Sequence, residues 1–562
     1  MKHLFQSLLL LLALILPATA IAHDFEVDGI YYNINGTTAT VTYRGDYNYS
    51  YSDEYSGMVT IPATVTYNGT AYPVTSIGES AFFNCCDLTN VFVPNSVTSI
   101  GEGAFCDCIE LASIDIPNSV TIISDGAFSG CSGMKNLTIA NSVTTIGNYA
   151  FERCNSLVEV TIPNSVTTIG YGAFYSCIGL MSVTLPNSDI SIGNDVFSWC
   201  SSLKSVTIPD SITTISESMF LHCSDLTSVT IGGSVASIGT EAFKGCSNLA
   251  SVSIPNSVTT IGSATFAGCS GLTSLTVASG NTTYDSRNNC NAIIETSTNT
   301  LAVGCRNTVI PSSVTAIGDA AFSGCSGMTN LTIPNSVTAI GISAFYGCSG
   351  LTSVSIPNSV TTIGGGAFAD CTALTSVSIP NSVTFIGYSA FIGCIGLTNV
   401  TLPNSVTSIG SSVFENCIGL SSVTIPNSIA SLGYRAFYDC NGLTDVYSYI
   451  TDFSVVTCGG DMFCQDDNND YSGRTLHVLP GMADAYQANR HWYPYFGQIV
   501  EMASNGDANI DGSVNIADVS DMINFMLGLD VTTFYAPNAD LNGNDRVDLG
   551  DIVSLIDMLL QN

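Results

Sequence analysis

Two stretches near the C-terminus carry oxygen donors at a spacing suited to a hard cation. They are DANIDGSVNIAD, Asp507 to Asp518, and DLNGNDRVDLGD, Asp540 to Asp551, with starts 33 residues apart. Calcium is wrapped by short loops that supply side-chain oxygens at positions 1, 3, 5 and 12 and a backbone carbonyl at 7. The first loop then offers Asp507, Asn509, Asp511 and Asp518 with the Ser513 carbonyl; the second offers Asp540, Asn542, Asn544 and Asp551 with the Arg546 carbonyl. Two calcium ions are expected. The second should be held more weakly, because Asn544-Asp545 stands where the pattern favours Asp-Gly, costing a charge and a tight turn.

Thiols are the other reactive group in quantity. Of 21 cysteines, 15 stand three residues after a recurring phenylalanine, from Cys85 to Cys440. Stacked neighbours would lie within disulfide reach, but their parallel Cα–Cβ bonds disfavour the S–S torsion. Zinc needs four converging ligands, which a column does not offer. Reduced, buried thiols acting as small apolar fillers are expected. Cys290 and Cys305, off the column, are the pair best suited to a disulfide if one forms. Cys458 and Cys464 lack zinc-motif spacing, and Asp466 to Asp470 reads as a solvated loop. His222 precedes Cys223, but adjacent residues in a strand or turn point apart, so no nucleophile–base pair is expected there. His477 and His491 have no evident nucleophile either, and no catalytic residue is assigned.

The elements that position these groups follow from periodicity. After each acidic loop, apolar residues recur at helical spacing: Val519, Met522, Ile523 and Met526, then Ile552, Leu555, Ile556 and Leu559. The two helices should pack together. The cysteine column belongs to a 23-residue repeat typified by Leu351 to Ala373, LTSVSIPNSVTTIGGGAFADCTA. Its phenylalanine recurs in register from Phe82 to Phe266 and again from Phe322 to Phe437, 15 copies in all. Such a period marks a solenoid, whose coils bury their apolar side only against their neighbours. Leu351, Val354, Ile356, Val360, Ile363, Ala367, Phe368 and Cys371 form the inward set, with Ser353 and Ser355 outward. One short parallel strand per coil is expected at the Val354–Ile356 alternation, ended by Pro357-Asn358, with Gly364 to Gly366 turning the chain. Columns of outward Ser and Thr would offer either a solvated surface or a ligand face.

The repeated phrase SVTIPNSVTTIGxxAFxGCSGLT resembles the leucine-rich repeats of BspA-like bacterial surface proteins, over about two thirds of the chain. The resemblance implies a leucine-rich-repeat solenoid on a secreted or cell-surface protein that adheres to a host or microbial surface protein or glycan. The last 55 or so residues, with two loop-plus-helix units and Asp at loop position 12, resemble a type I dockerin module. That implies two calcium ions and a cohesin-like partner domain. Positions 10 and 11, which select the partner in dockerins, are Ile516-Ala517 and Leu549-Gly550 here, so the class of partner stays open.

Composition narrows the function. A formal net charge of −33 with only 12 Lys and Arg in 562 residues excludes nucleic-acid binding, which needs clustered cations. It also disfavours docking on anionic membranes. Residues 1–22, with Lys2 ahead of the apolar run Leu8 to Leu16 and small residues at Ala18 to Ala22, read as a signal peptide. No later run is long and apolar enough for a membrane helix. A β-hairpin cap is expected over 23–72, the solenoid over 73–445 with a hairpin-containing variant at about 279–310, and a C-terminal cap with a short helix over 446–500. A linker over 501–506 and the dockerin-like domain over 507–562 complete the chain. The expected fold is an α/β leucine-rich-repeat solenoid with short parallel strands and a small all-α C-terminal domain. The expected function is non-catalytic interaction or adhesion. The alternative is a non-catalytic component of a dockerin–cohesin polysaccharide-degrading complex.

Overall fold

The computed structural model describes residues 23–45, 54–464, 471–479, 481–502, 506–509, 514–529, 531, 534, 536–541 and 546–561. The chain divides into two compact units, Met1–Thr298 with Val303–Thr308, and Asn299–Ala302 with Val309–Asn562. The expected signal peptide lies outside the described residues, as does Asp466 to Asp470.

The first unit opens on hairpins. Phe25–Val27 pairs antiparallel with Ile30–Asn35, and that strand with Thr38–Thr42. A second hairpin joins Thr64–Tyr67 to Thr70–Ile77. The last of these strands also runs parallel to Ser99–Ile100, so the hairpins lead directly into the repeats. From there each coil lays its strands on the equivalent residues of the coil before: Val206 pairs with Val229 and Ile238 with Ile261. A hairpin of Tyr284–Asp285 with Ile293–Glu295 lies in the variant segment.

The second unit repeats the scheme. Ser353, Val354 and Ser355 stand opposite Ser376, Val377 and Ser378. Beyond residue 445 the sheet continues: Asp445–Ser448 pairs with Thr475–Val478, which pairs with Gln498–Glu501. The short helix α1, Ala483–Ala488, lies between the last two strands. After them come α2, Ile516–Met526, then α3, Ala536–Ala539, and α4, Leu549–Gln561.

Two expectations are corrected. Each coil carries two strands, not one: the expected strand, such as Ser353–Ser355, and a two-residue strand at Thr362–Ile363. Two residues are too few to show a period-2 pattern. The repeats are also not α/β. The stretch after the second strand, GGGAFADC in the typical coil, makes consecutive turns and no helix. Two backbone positions there, those of Gly366 and Asp370, take positive φ of 60° and 56°. A left-handed residue every few positions cannot continue a right-handed helix.

All eight residues of the inward set are buried, none more than 6% exposed. Their phenylalanines form stacks along each unit. In the first, Phe82 to Phe266 stack at centroid spacings such as 4.8 Å and 5.7 Å. In the second, Phe322 to Phe437 do the same, and Phe463 extends the stack at 5.2 Å. Offset ring pairs add roughly 0.5–1.5 kcal/mol each to the burial of their faces. The stacks end on unlike aromatics: Tyr55 lies 4.6 Å from Phe82, and Trp492 lies 5.6 Å from Phe463. Arg474, 2% exposed, closes the last coil by donating to the carbonyls of Cys440, Leu443 and Phe463.

Candidate functional site

The Ser and Thr columns separate into two kinds. At Thr352, Thr375 and Thr398 the hydroxyl donates to the carbonyl of the equivalent residue one coil earlier, at 3.2–3.3 Å. Thr338 and Thr361 form a second such ladder, and Ser359, Ser382 and Ser405 a third that donates to the Val337, Val360 and Val383 carbonyls of the coil before. These hydroxyls bind coil to coil. By contrast Ser353, Ser355, Ser376 and Ser378 flank buried valines on the strands and face solvent. Parallel strands align them in columns of outward hydroxyls.

None of the cysteines is in a disulfide. Thirteen of the column members donate to the carbonyl of the repeat phenylalanine one coil earlier, for example Cys131 to Phe105 at 3.1 Å and Cys371 to Phe345 at 3.2 Å. They are donors as well as fillers. Burial pushes Cys246, Cys371 and Cys440 up to about 12, and holds Cys200, Cys223 and Cys417 well above the ordinary thiol range. Cys290 and Cys305 are buried and unbonded to each other; Cys305 donates to the Asn291 carbonyl at 3.3 Å. Cys223 is turned inward to Phe197, whereas the His222 ring lies on Trp199 at 4.2 Å. His477 stacks on Tyr447 at 4.4 Å and meets Asp445 at 2.8 Å.

In the C-terminal segment, six of the ten expected calcium ligands are described: Asp507, Asn509, Asp518, Asp540, Arg546 and Asp551. Asp511, Ser513, Asn542 and Asn544 lie outside the described residues. The two loops use their position-12 aspartates alike. Asp518 accepts from the Asn509 and Asn515 amides at 3.1 and 2.8 Å, and Asp551 from the Leu541 and Asp548 amides at 2.9 and 2.8 Å. Asn515 returns the bond by accepting from the Ala517 amide, a capping box that starts α2. Asp518 and Asp551 are fully buried, and Asp507 is 1% exposed. Among the described residues no three His, Cys, Asp or Glu side chains are grouped as metal ligands. The donors that are described fit calcium in kind: all are oxygens, and each position-12 carboxylate has lone pairs beyond the two amides it accepts. Val519, Met522, Ile552 and Leu555 pack into a shared core with Ala508 and Ala539. Ile523, Met526 and Ile556, expected in the helix interface, are instead 41%, 43% and 37% exposed.

The comparisons with known proteins bear on the repeats. A family profile described as "BspA type Leucine rich repeat region" matches residues 75–190, 167–295, 301–399 and 384–468, together more than two thirds of the chain. Solved structures that resemble the chain include a leucine-rich repeat protein from Bacteroides ovatus, 29% identical, covering 78% of this chain and 99% of that one, with a TM-score of 0.47. A leucine-rich cell surface protein from Faecalibacterium prausnitzii is 26% identical over 78% of this chain and 98% of its own, with a TM-score of 0.49. A leucine-rich repeat protein from Eubacterium ventriosum is 21% identical over 79% of this chain and 94% of its own, with a TM-score of 0.46. A search of curated proteins found no match. On the profile match, the chain belongs to the BspA-type leucine-rich-repeat family.

Proposed function

We propose that this is a secreted or cell-surface, non-catalytic interaction protein. In this reading the strand face of its repeats engages a protein partner, and its C-terminal segment folds around two calcium ions and docks through its helices. The observation that carries the reading is the division of the hydroxyls. Those at Thr352 and Thr361 are used between coils, whereas Ser353, Ser355, Ser376 and Ser378 are presented outward on their strands. Repeat proteins in general use such extended faces for binding. Among the described residues, no helix is long and apolar enough to cross a membrane.

The docking part is supported by a symmetry in the tail. Ile516 and Leu549, Ile523 and Ile556, Phe525 and Met558, and Leu527 and Leu560 are pairs 33 residues apart, and all eight are exposed, Leu560 at 78%. Exposed apolar side chains repeated at equivalent places in two half-modules suit a partner surface better than solvent. With the dockerin resemblance they favour a cohesin-like domain as the partner of the tail.

Hydrogen exchange with and without a calcium chelator tests the metal. At calcium a hundredfold above its dissociation constant, 514–529 and 549–561 should gain about 2.7 kcal/mol of protection. Exchange that ignores the chelator sinks the calcium assignment. For the solenoid, partner capture by full-length and tail-deleted protein should be equal if the strand face binds. Capture lost with the tail would transfer the function to the module.

A further inference from the structure

A different face of the first unit carries a departure from the repeat. In every coil the turn around the buried repeat phenylalanine has two left-handed positions, one two residues before it and one two residues after it. The second is Gly130, Gly245 and Gly268 in some coils, with φ of 74°, 75° and 73°. Glycine takes this conformation without steric cost. Yet the same position is Trp199 at 64° and His222 at 57°, and the first position is Tyr149 at 54°. Bulky side chains at positive φ are outliers, and such strain points to use.

These rings do not pay for themselves by packing inward. Tyr149, Tyr171 and Trp199 are 39%, 42% and 44% exposed. Tyr149 stands edge-on to Tyr171 at 5.2 Å, and Trp199 lies on His222 at 4.2 Å. Small residues make room for them: the Tyr149 ring passes so close over Gly172 that a β-carbon there would meet it at 2.8 Å. Tyr171 hydrogen-bonds the Asp195 carboxylate of the next coil, the coil that carries Trp199, and Lys244 pairs with Glu241 at 2.7 Å.

We propose that this turn face binds a neutral polysaccharide chain, with Tyr149, Tyr171, Trp199 and His222 as stacking platforms and Asp195 and Glu241 accepting hydroxyl hydrogens. A pyranose offers the C–H faces that flat rings take and the O–H donors that carboxylates take. The local cations are engaged, Arg153 with Glu152 at 3.4 Å and Lys244 with Glu241, which leaves little attraction for an anionic ligand. Four successive coils carry one ring each, Tyr149 and Tyr171 before their phenylalanines and Trp199 and His222 after theirs. This site is separate from the strand face, and either can fail without the other.

The chain has two tryptophans, and Trp492 is fully buried, so ligand-induced change in tryptophan emission reports on Trp199. Full-length protein should be retarded in native gels containing mannan, laminarin or xylan, and its emission should shift with the same polysaccharide. W199G and H222G place at this position the residue found there at Gly130, Gly245 and Gly268, so they should fold with an unchanged or higher Tm while retardation falls at least tenfold. Y149G keeps Trp199 as reporter and should weaken the emission response. The site is overturned if none of the three polysaccharides retards the wild type, or if the W199G/H222G double variant binds as well as wild type. An emission response as strong to gelatin, a polypeptide, would mark protein docking and overturn it too.

Discussion

A thiol is a weak hydrogen-bond donor, yet in this protein a ladder of them meets carbonyls that water cannot reach. Each of these carbonyls already accepts the amide of the cysteine in its own coil, as Phe345 does from Cys348 at 3.1 Å, so the Sγ–H fills the second lone pair and ties one coil to the next. Burial raises these thiols, Cys246, Cys371 and Cys440 to about 12, whereas an unfolded cysteine ionises near pH 8.5. Folding therefore retains protons that the unfolded chain releases. The resulting stability is complete below about pH 8.5 and is lost as pH rises towards 12, by about 1.4 kcal/mol per pH unit for each such thiol. Urea midpoints measured between pH 7 and 10 should fall steeply, and a flat profile would remove the thiols from the account. That cysteine is buried was legible from its place after the repeat phenylalanine. That it donates to the coil before was not, because the partner, such as Phe345 for Cys371, stands 26 residues away and depends on how the coils stack.

At the level of the coil, the close approach of neighbours sets the sequence. A β-carbon on Gly364 would lie 2.6 Å from the backbone of Gly341, which explains the glycine after the second strand. Ser124 and Ser216 hold the same place in their coils and donate to the preceding coil at 2.7 Å. Gly364→Val should therefore cost about 2–3 kcal/mol by overpacking, and Gly364→Ser clearly less. Equilibrium denaturation of the two variants distinguishes them; equal losses would contradict the serine precedent. The first strand was legible from the alternation of Val354 and Ile356. The second, Thr362–Ile363, was too short to read, and Phe463 was missed because an irregular segment displaces it 26 residues from Phe437 instead of 23. The helices Ile516–Met526 and Leu549–Gln561 were legible from apolar spacing, whereas the exposure of Ile523 and Ile556 depends on how the short helices pack.

For each unit as a whole, stability accumulates from coil to coil and is weakest where a stack ends. Trp492, fully buried, covers Phe463 at the end of the second unit's stack together with Phe496, and Tyr486 packs edge-on against Trp492. Trp492→Ala should cost about 3–5 kcal/mol at that end. In a repeat array such a loss stays local. Amides near Phe437 should exchange faster in the variant while those near Phe345 keep their protection. Uniform loss of protection would mean that the coils unfold as one block.

The hydroxyl and thiol ladders have a further consequence. Every coil in a regular run makes the same bonds to its predecessor, Thr375 to Thr352 as Thr398 to Thr375, and Cys394 to Phe368 as Cys417 to Phe391. Removing or duplicating one whole 23-residue unit restores each of these pairings with an identical neighbour. A change in the number of coils within a regular run therefore leaves its interfaces intact. The reach of the stack then changes in steps of one strand spacing, about 4.8 Å.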